Sequence, residues 1–158
     1  MEIEEKFNKK LLVEGNDDQH VVWALCRQCG ITESFDVRDC KSVDKAKKNL
    51  SVSLKLIGVK TVGIIIDADI DLESRWNSVR NILIDNKFIV PKELPREGLI
   101  LNNGDKKAGV WIMPNNTTTG MLEDFITFLV PQNDKLLPIV DTTLNHIETQ
   151  KLHQYADT

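Results

Sequence analysis

Hydrophobic and polar positions along the chain switch repeatedly between a strand-like and a helix-like spacing. Short apolar runs, some continuous and some alternating, predict strands at residues 10–15, 35–39, 61–66 and 109–113. Apolar residues at helical spacing predict helices over residues 17–29, 43–57, 76–83 and 121–129, and a last amphipathic stretch over 144–155. Strands and helices therefore alternate along most of the chain.

This alternation is typical of an α/β fold with a mostly parallel sheet. We expect a four-stranded central sheet with helices on both faces, because each parallel strand needs a crossover that packs on the sheet. The 158 residues predict a single domain. Its core covers about residues 8–130, and residues 131–158 form a C-terminal helical tail.

Composition and charge narrow the classes of function. Hydrophobic residues make up 41% and charged residues 28%, which is typical of a globular protein. No apolar run approaches the roughly 18 residues of a membrane span, and the charged N-terminus predicts no signal peptide, so we expect a cytoplasmic protein without a membrane partner. A net charge of −4 argues against binding nucleic acid mainly by neutralising phosphates, although a metal-dependent nuclease remains compatible.

Acidic residues follow two of the predicted strands. Glu14 ends the first strand, and Asp67, Asp69 and Asp71 follow the third. Parallel neighbouring strands bring their carboxyl ends to one edge, where ligands of such sheets collect. Carboxylates gathered there repel one another unless a cation lies between them, and oxygen ligands suit Mg²⁺ or Mn²⁺. We therefore expect a metal site at this edge.

Other polar residues have competing interpretations. Asp17 and Asp18 lie where a helix N-terminus favours negative charge, and we interpret them as structural. Lys106 and Lys107 precede the fourth strand and are weak candidates for substrate binding, since such a loop is more often a solvated turn. The C-x-x-C at residues 26–29 has no second half of a zinc site, so a structural role is favoured over metal or redox chemistry.

Three segments together resemble the Toprim domain. That domain occurs in topoisomerases, bacterial primases, recombination proteins and nucleases of the OLD (overcoming lysogenisation defect) type. The resembling segments are LLVEGNDD at residues 11–18, VGIIIDADID at 62–71 and, for OLD-like and small stand-alone members, GMLEDF at 120–125. The resemblance covers about residues 8–130 and implies a three-layer Toprim-like fold.

The resemblance also implies roles for individual residues. Glu14 is similar to the family's acid/base glutamate, and Asp67 and Asp69 to its Mg²⁺-binding aspartates. Asp71 would be a third, more distant acid, and Glu123 matches a later acid that helps to hold metal in OLD-like members. Small Toprim-like proteins tend to extend further, so truncation at Thr158 stays open.

The sequence also departs from the larger members of that superfamily. The nucleophilic tyrosine of topoisomerases has no counterpart except Tyr155, close to the chain end. The sequence contains no Walker A loop, which the ATPase domain of OLD nucleases carries. We also find no counterpart of the large DNA-binding domains of primases and topoisomerases.

These observations leave two functional hypotheses of different kinds. The first is Mg²⁺-dependent phosphodiester chemistry on nucleic acid, nuclease-like and of OLD type. The second is a catalytically weak Toprim-like module that binds metal or nucleotide and acts with a protein partner or as a homodimer. A third interpretation, the D-x-D-x-T/V motif of haloacid-dehalogenase phosphatases, is disfavoured because Asp71 stands where Thr or Val belongs.

Overall fold

The computed structural model describes residues 6–152 and divides the chain into two compact units, Met1–Phe125 and Ile126–Thr158. The first unit contains β1 (Lys9–Val13), α1 (Asn16–Gln28), β2 (Asp36–Asp39), α2 (Val43–Lys55), β3 (Thr61–Asp67), α3 (Leu72–Asp85), β4 (Leu99–Asn103) and β5 (Lys106–Met113). α4 (Leu122–Leu129) begins in this unit, and the second unit contains α5 (Leu137–Thr149). Within residues 6–152 we find no helix long and apolar enough to cross a membrane. Tyr155 lies outside the described residues.

The sheet has five strands in the order β2-β1-β3-β5-β4. All neighbouring pairs are parallel except β4 and β5, which are antiparallel. The predicted α/β class and mostly parallel sheet are confirmed. The predicted number of four strands is wrong, because β4 adds an antiparallel edge strand. The three-layer Toprim-like arrangement stays a prediction.

The additional strand β4 forms a tight hairpin with β5. Gly104 and Asp105 alone connect the two strands, and Gly104 has φ 58°, a left-handed conformation that glycine adopts without steric cost. The sequence predicts no strand here, because Pro91, Pro95, Gly98 and Gly104 make the stretch between residues 83 and 109 less regular. The Gly104–Asp105 pair is the turn signal in the sequence that is typical of such a hairpin.

Alternate residues of β3 belong to the hydrophobic core. Val62, Ile64 and Ile66 are buried, and they share one cluster with residues of α2 and α3 such as Leu50 and Leu83. Burial of each such side chain contributes about 1.5–3 kcal/mol. The strand that ends in Asp67 is therefore firmly packed against the helices of the core.

The predicted second helix extended two residues too far. α2 ends at Lys55, and Ile57, which we assigned to the buried face, is 93% exposed. Leu56 adopts an extended conformation (φ −71°, ψ 129°), so the backbone leaves the helix before Ile57. Apolar spacing alone did not show where the helical hydrogen bonds stop.

Parallel pairing brings three strand ends to one edge of the sheet. Val13 pairs with Ile65 across β1 and β3, and Asp67 pairs with Met113 across β3 and β5. The segments that follow β1, β3 and β5 therefore start side by side. We call the carboxyl ends of these three strands the acidic edge, because carboxylates occupy the segments that leave it.

Candidate functional site

The acidic edge begins with a direct contact between the ends of β1 and β3. Glu14 follows the last residue of β1, and its Oε2 atom accepts a hydrogen bond of 3.3 Å from the backbone N–H of Asp67. The structure therefore brings these two sequence-predicted residues together. The contact joins residues 53 positions apart in the chain and holds the Glu14 carboxylate over the end of the central strand.

Asp18 is a member of this group that sequence analysis placed elsewhere. It lies in the first turn of α1, is only 6% exposed, and its Oδ2 accepts a hydrogen bond of 2.9 Å from the N–H of Gly15. Its Oδ1 is buried and has no hydrogen-bond partner. Helix capping explains one carboxylate oxygen but not the other. The available signal was its place in the first turn of α1, the helix that begins directly after the strand end carrying Glu14.

Asp67 experiences the strongest electrostatic effect at this edge. The pKa of its carboxyl is raised to about 7, first by burial and then, in decreasing order, by the neighbouring carboxylates of Asp18, Glu14, Asp69 and Glu123. Its Oδ1 is likewise buried without a hydrogen-bond partner. The edge thus holds two buried carboxylate oxygens without a hydrogen-bond partner, and burial of an unpaired carboxylate costs free energy.

Glu14 lies among the same carboxylates, but it also has partners that favour its charged form. Burial raises the pKa of its carboxyl above the usual range, and the charges of Asp69 and Asp18 raise it too. The Asp67 N–H and the positive charge of Arg75 act in the opposite direction. Because its pKa is raised, this carboxyl keeps its proton to a higher pH than an ordinary glutamate does.

A backbone bridge brings the segment before α4 to this edge. The Asp69 N–H donates to the Gly120 carbonyl at 2.9 Å, and the Gly120 N–H donates to the Asp69 carbonyl at 2.8 Å. Asp69 adopts a left-handed conformation with φ 51°, which aspartate tolerates better than most residues. Gly120 has φ 133°, and a Cβ there would lie 2.5 Å from Asp124 Oδ2. Glycine is therefore required where the two segments meet.

The start of α4 separates two adjacent acids into different roles. Asp124 Oδ2 accepts a hydrogen bond of 2.8 Å from the N–H of Met121, so this carboxylate caps the helix. Glu123 instead lies close enough to Asp67 and Asp18 for its charge to raise the pKa of both carboxyls. The structure thus places Glu123 with the acidic group that the sequence predicted.

The chain matches one known family. A family model described as a protein of unknown function (DUF3226) matches residues 8–158. The chain belongs to the DUF3226 family. Searches of curated proteins and of solved structures found no match.

Asp71, the most distant predicted ligand in this DUF3226 chain, has a structural role at the start of α3. Its Oδ1 accepts a hydrogen bond of 2.9 Å from the N–H of Ser74, so it is the N-cap of that helix. Its side chain can satisfy one of the helix's free N–H groups without any metal. Metal ligation by Asp71 stays a prediction.

Substitution of Asp71 separates these two roles. Asp71→Ala should lower the free energy of unfolding by about 1 kcal/mol, because it removes the cap. Asp71→Asn should retain most of that stability, since the amide oxygen still accepts the hydrogen bond. Both can be measured by urea denaturation without metal. A loss in Asp71→Asn as large as in Asp71→Ala would contradict the capping role.

The two weak candidates for substrate binding, Lys106 and Lys107, lie away from the acidic edge. Lys106 and Lys107 begin β5, at the end of the strand opposite Met113. The ammonium of Lys106 donates to the carbonyl oxygens of Leu56 and Val59 after α2. The structure therefore does not bring Lys106 and Lys107 to the acidic edge, because strand direction separates the two ends of β5.

The carboxylates at the acidic edge do not converge on a single point. Within residues 6–152, no three Asp, Glu, His or Cys side chains already have the geometry of a metal site. The donors nonetheless fit a hard cation, since all are carboxylate oxygens and one buried oxygen each of Asp18 and Asp67, Oδ1, has no hydrogen-bond partner. The three cysteines are free, Cys26 half-buried, Cys29 exposed and Cys40 buried.

Proposed function

We propose that this chain carries out Mg²⁺- or Mn²⁺-dependent phosphodiester chemistry on nucleic acid, as a Toprim-like nuclease. One observation carries the proposal: the buried Oδ1 atoms of Asp18 and Asp67 have no hydrogen-bond partner and lie within a group of carboxylates. A purely structural role does not account for them, because burial of an unpaired carboxylate costs free energy. A divalent cation would compensate both.

The acidic edge offers a ligand set for such a cation from separate elements. Asp67 and Asp69 come from the end of β3, Asp18 from α1 and Glu123 from α4. Mg²⁺ often takes only one or two protein carboxylates together with water and substrate phosphates, so not all four need to coordinate directly. A bound ion would polarise the phosphodiester and lower the pKa of a water molecule.

Glu14 is the candidate for proton transfer. Its position is held by the Asp67 N–H, and burial raises the pKa of its carboxyl. A carboxylate in this setting can accept a proton from an attacking water, and the acid form can donate one to a leaving oxygen. The Asp67 N–H keeps it oriented at the edge where the ligands gather.

A metal-dependent melting experiment tests the site with a matched pair of variants. Mg²⁺ or Mn²⁺ at about 100 times its dissociation constant should raise the melting temperature by about 5–10 °C. Asp18→Asn should reduce that rise strongly, because it removes a buried ligand. Asp17→Asn, an exposed neighbour in the same helical turn, should retain it. Equal responses of the two variants would argue against Asp18 as a ligand.

An activity experiment tests the chemistry itself. Purified protein is incubated with supercoiled plasmid in the presence of Mg²⁺, Mn²⁺ or EDTA. We expect nicking with the divalent cations and none with EDTA. A protein that shows the melting response but never nicks or cleaves DNA or RNA would contradict the catalytic part of the proposal.

A second candidate is a metal- or nucleotide-binding module that acts with a partner protein or as a homodimer and has little activity alone. Two observations favour it. The net charge is −4, and Lys106 and Lys107 lie at the opposite end of β5 from the acidic edge. A substrate phosphate would then receive its remaining positive charge from a partner. A metal response without cleavage, as described above, would support this alternative.

A further inference from the structure

A cavity lies beside the acidic edge, next to the start of α3. It has a volume of about 250 Å³ and is lined by Lys47 of α2, by the segment from Ala68 to Asp71, and by Ser74, Arg75 and Ser78 of α3. Asp69 therefore belongs both to the acidic edge and to the wall of the cavity. Whatever occupies the cavity lies next to the proposed metal site.

The cavity wall supplies hydrogen-bond donors of two kinds. Arg75 and Lys47 carry positive charge on side chains that are only 15% and 23% exposed. Ser74 lines the same space and adds a hydroxyl donor, whereas the Ser78 hydroxyl donates its hydrogen to the Arg75 carbonyl at 2.8 Å. Partly buried cations with a hydroxyl beside them are typical of sites for phosphate.

Both cations are now paired with carboxylates. Arg75 forms an ion pair with Asp69, and the ammonium of Lys47 lies 3.0 Å from Asp44 Oδ1. The Asp44 partner is exposed, so water and salt weaken that pair. The Asp69 partner is a proposed metal ligand. A cation that coordinates Asp69 would withdraw this carboxylate from Arg75 and leave the guanidinium with donors to satisfy.

We propose that this cavity binds a phosphate group of the nucleic-acid strand next to the phosphodiester that reacts, and that metal binding at Asp69 frees Arg75 to hold it. The inference rests on the proposed function and adds a substrate subsite to it. The planar guanidinium presents paired N–H donors that match two phosphate oxygens. Ile70, 94% exposed at the cavity, provides an apolar surface for the adjoining sugar or base.

The proposed coupling can be measured without cleavage. Binding of a fluorescein-labelled oligodeoxynucleotide, single-stranded or annealed, is followed by anisotropy in Ca²⁺ and in EDTA, with Ca²⁺ as an oxygen-binding substitute for Mg²⁺. Wild-type protein should bind roughly tenfold or more tightly in Ca²⁺ than in EDTA. Arg75→Gln and Lys47→Gln should each lose roughly tenfold in Ca²⁺. Lys48→Gln, an exposed neighbour of Lys47 on α2, should change affinity less than about twofold.

The salt dependence gives a readout that a merely structural role would not change. For a single strand, each lost phosphate contact should reduce the slope of log affinity against log salt by about 0.7. Arg75→Gln should show this reduction and Lys48→Gln should not. Arg75→Gln should also bind as weakly in EDTA as wild type, because Asp69 holds the arginine there.

Separate measurement of metal binding distinguishes the two proposals. If metal raises the melting temperature of wild type and Arg75→Gln alike, but Arg75→Gln binds the oligonucleotide as wild type does, the subsite is wrong and the proposed function stands. If Arg75→Gln loses as much affinity in EDTA as in Ca²⁺, the coupling to metal is wrong. If metal does not change the melting of wild type, the proposed function fails and the subsite fails with it. Should Arg75→Gln fold poorly, Lys47→Gln tests the subsite, and the difference in wild-type affinity between Ca²⁺ and EDTA tests the coupling to metal.

Discussion

Substitution of Glu14 by glutamine should lower the rate of metal-dependent plasmid nicking by at least about 100-fold, the usual contribution of a positioned acid or base. Glutamine has nearly the same shape, and its amide oxygen can still accept the hydrogen bond from the Asp67 N–H. What the variant loses is the negative charge and the site for a proton. We therefore expect a folded protein that still responds to metal but is nearly inactive.

Glu73→Gln is the matched control for this experiment. Glu73 lies exposed in the first turn of α3, near the acidic edge in sequence but outside the group that surrounds Asp67. It should nick at close to the wild-type rate, with initial rates measured from gels over a time course. Nicking by Glu14→Gln at the rate of Glu73→Gln would exclude Glu14 from the chemistry and would indicate that the cleavage comes from elsewhere.

Asp67→Asn should stabilise the metal-free protein at pH 8. The carboxyl of Asp67 has a pKa of about 7 in the folded chain, well above the ordinary value for aspartate, because of burial and the carboxylates of Asp18, Glu14, Asp69 and Glu123. A pKa raised by folding means that the folded state binds the proton more tightly. The stability that this proton provides is complete below about pH 4 and is lost as pH rises through about 7. Asparagine has no charge to bury.

The size of this effect follows from the shift after allowance for solvent. The full shift would correspond to several kcal/mol, but Asp67 is only half-buried, so we expect about 1–2 kcal/mol. In EDTA, the free energy of unfolding of wild type should fall by that much relative to Asp67→Asn between pH 4 and pH 8. Urea denaturation at a series of pH values measures the difference. Parallel curves for the two proteins would mean that folding does not raise the pKa of Asp67.

Mg²⁺ should reverse the order of the two proteins. At pH 8 the ion should stabilise wild type, because it compensates the carboxylates, and should stabilise Asp67→Asn much less. The same substitution would then be stabilising without metal and destabilising, relative to wild type, with metal. This crossing separates a metal site from a group of acids that is merely tolerated.

Part of the fold could be predicted from the spacing of apolar residues along the chain. Strand–helix alternation predicted the α/β class, and the apolar run before Asp67 predicted a buried central strand whose end lies beside Glu14. Both follow from local chemistry, since a β-branched run needs two covered faces and parallel strands end at one edge. The antiparallel strand β4 was not predicted, because Pro91, Pro95 and Gly98 precede it and its sequence, LILNN, does not alternate between apolar and polar residues.

The sequence by itself determined which segments become strands and helices and which strand ends carry acids, because backbone preference and apolar spacing act over a few neighbouring residues. Only the tertiary structure decided how each acid is used. Asp18 became a buried member of the site, Asp71 a helix cap, and Glu123 a neighbour of Asp67 through the bridge between Asp69 and Gly120. The burial and the charge of a polar side chain depend on the segments that surround it, and those segments lie far apart along the chain.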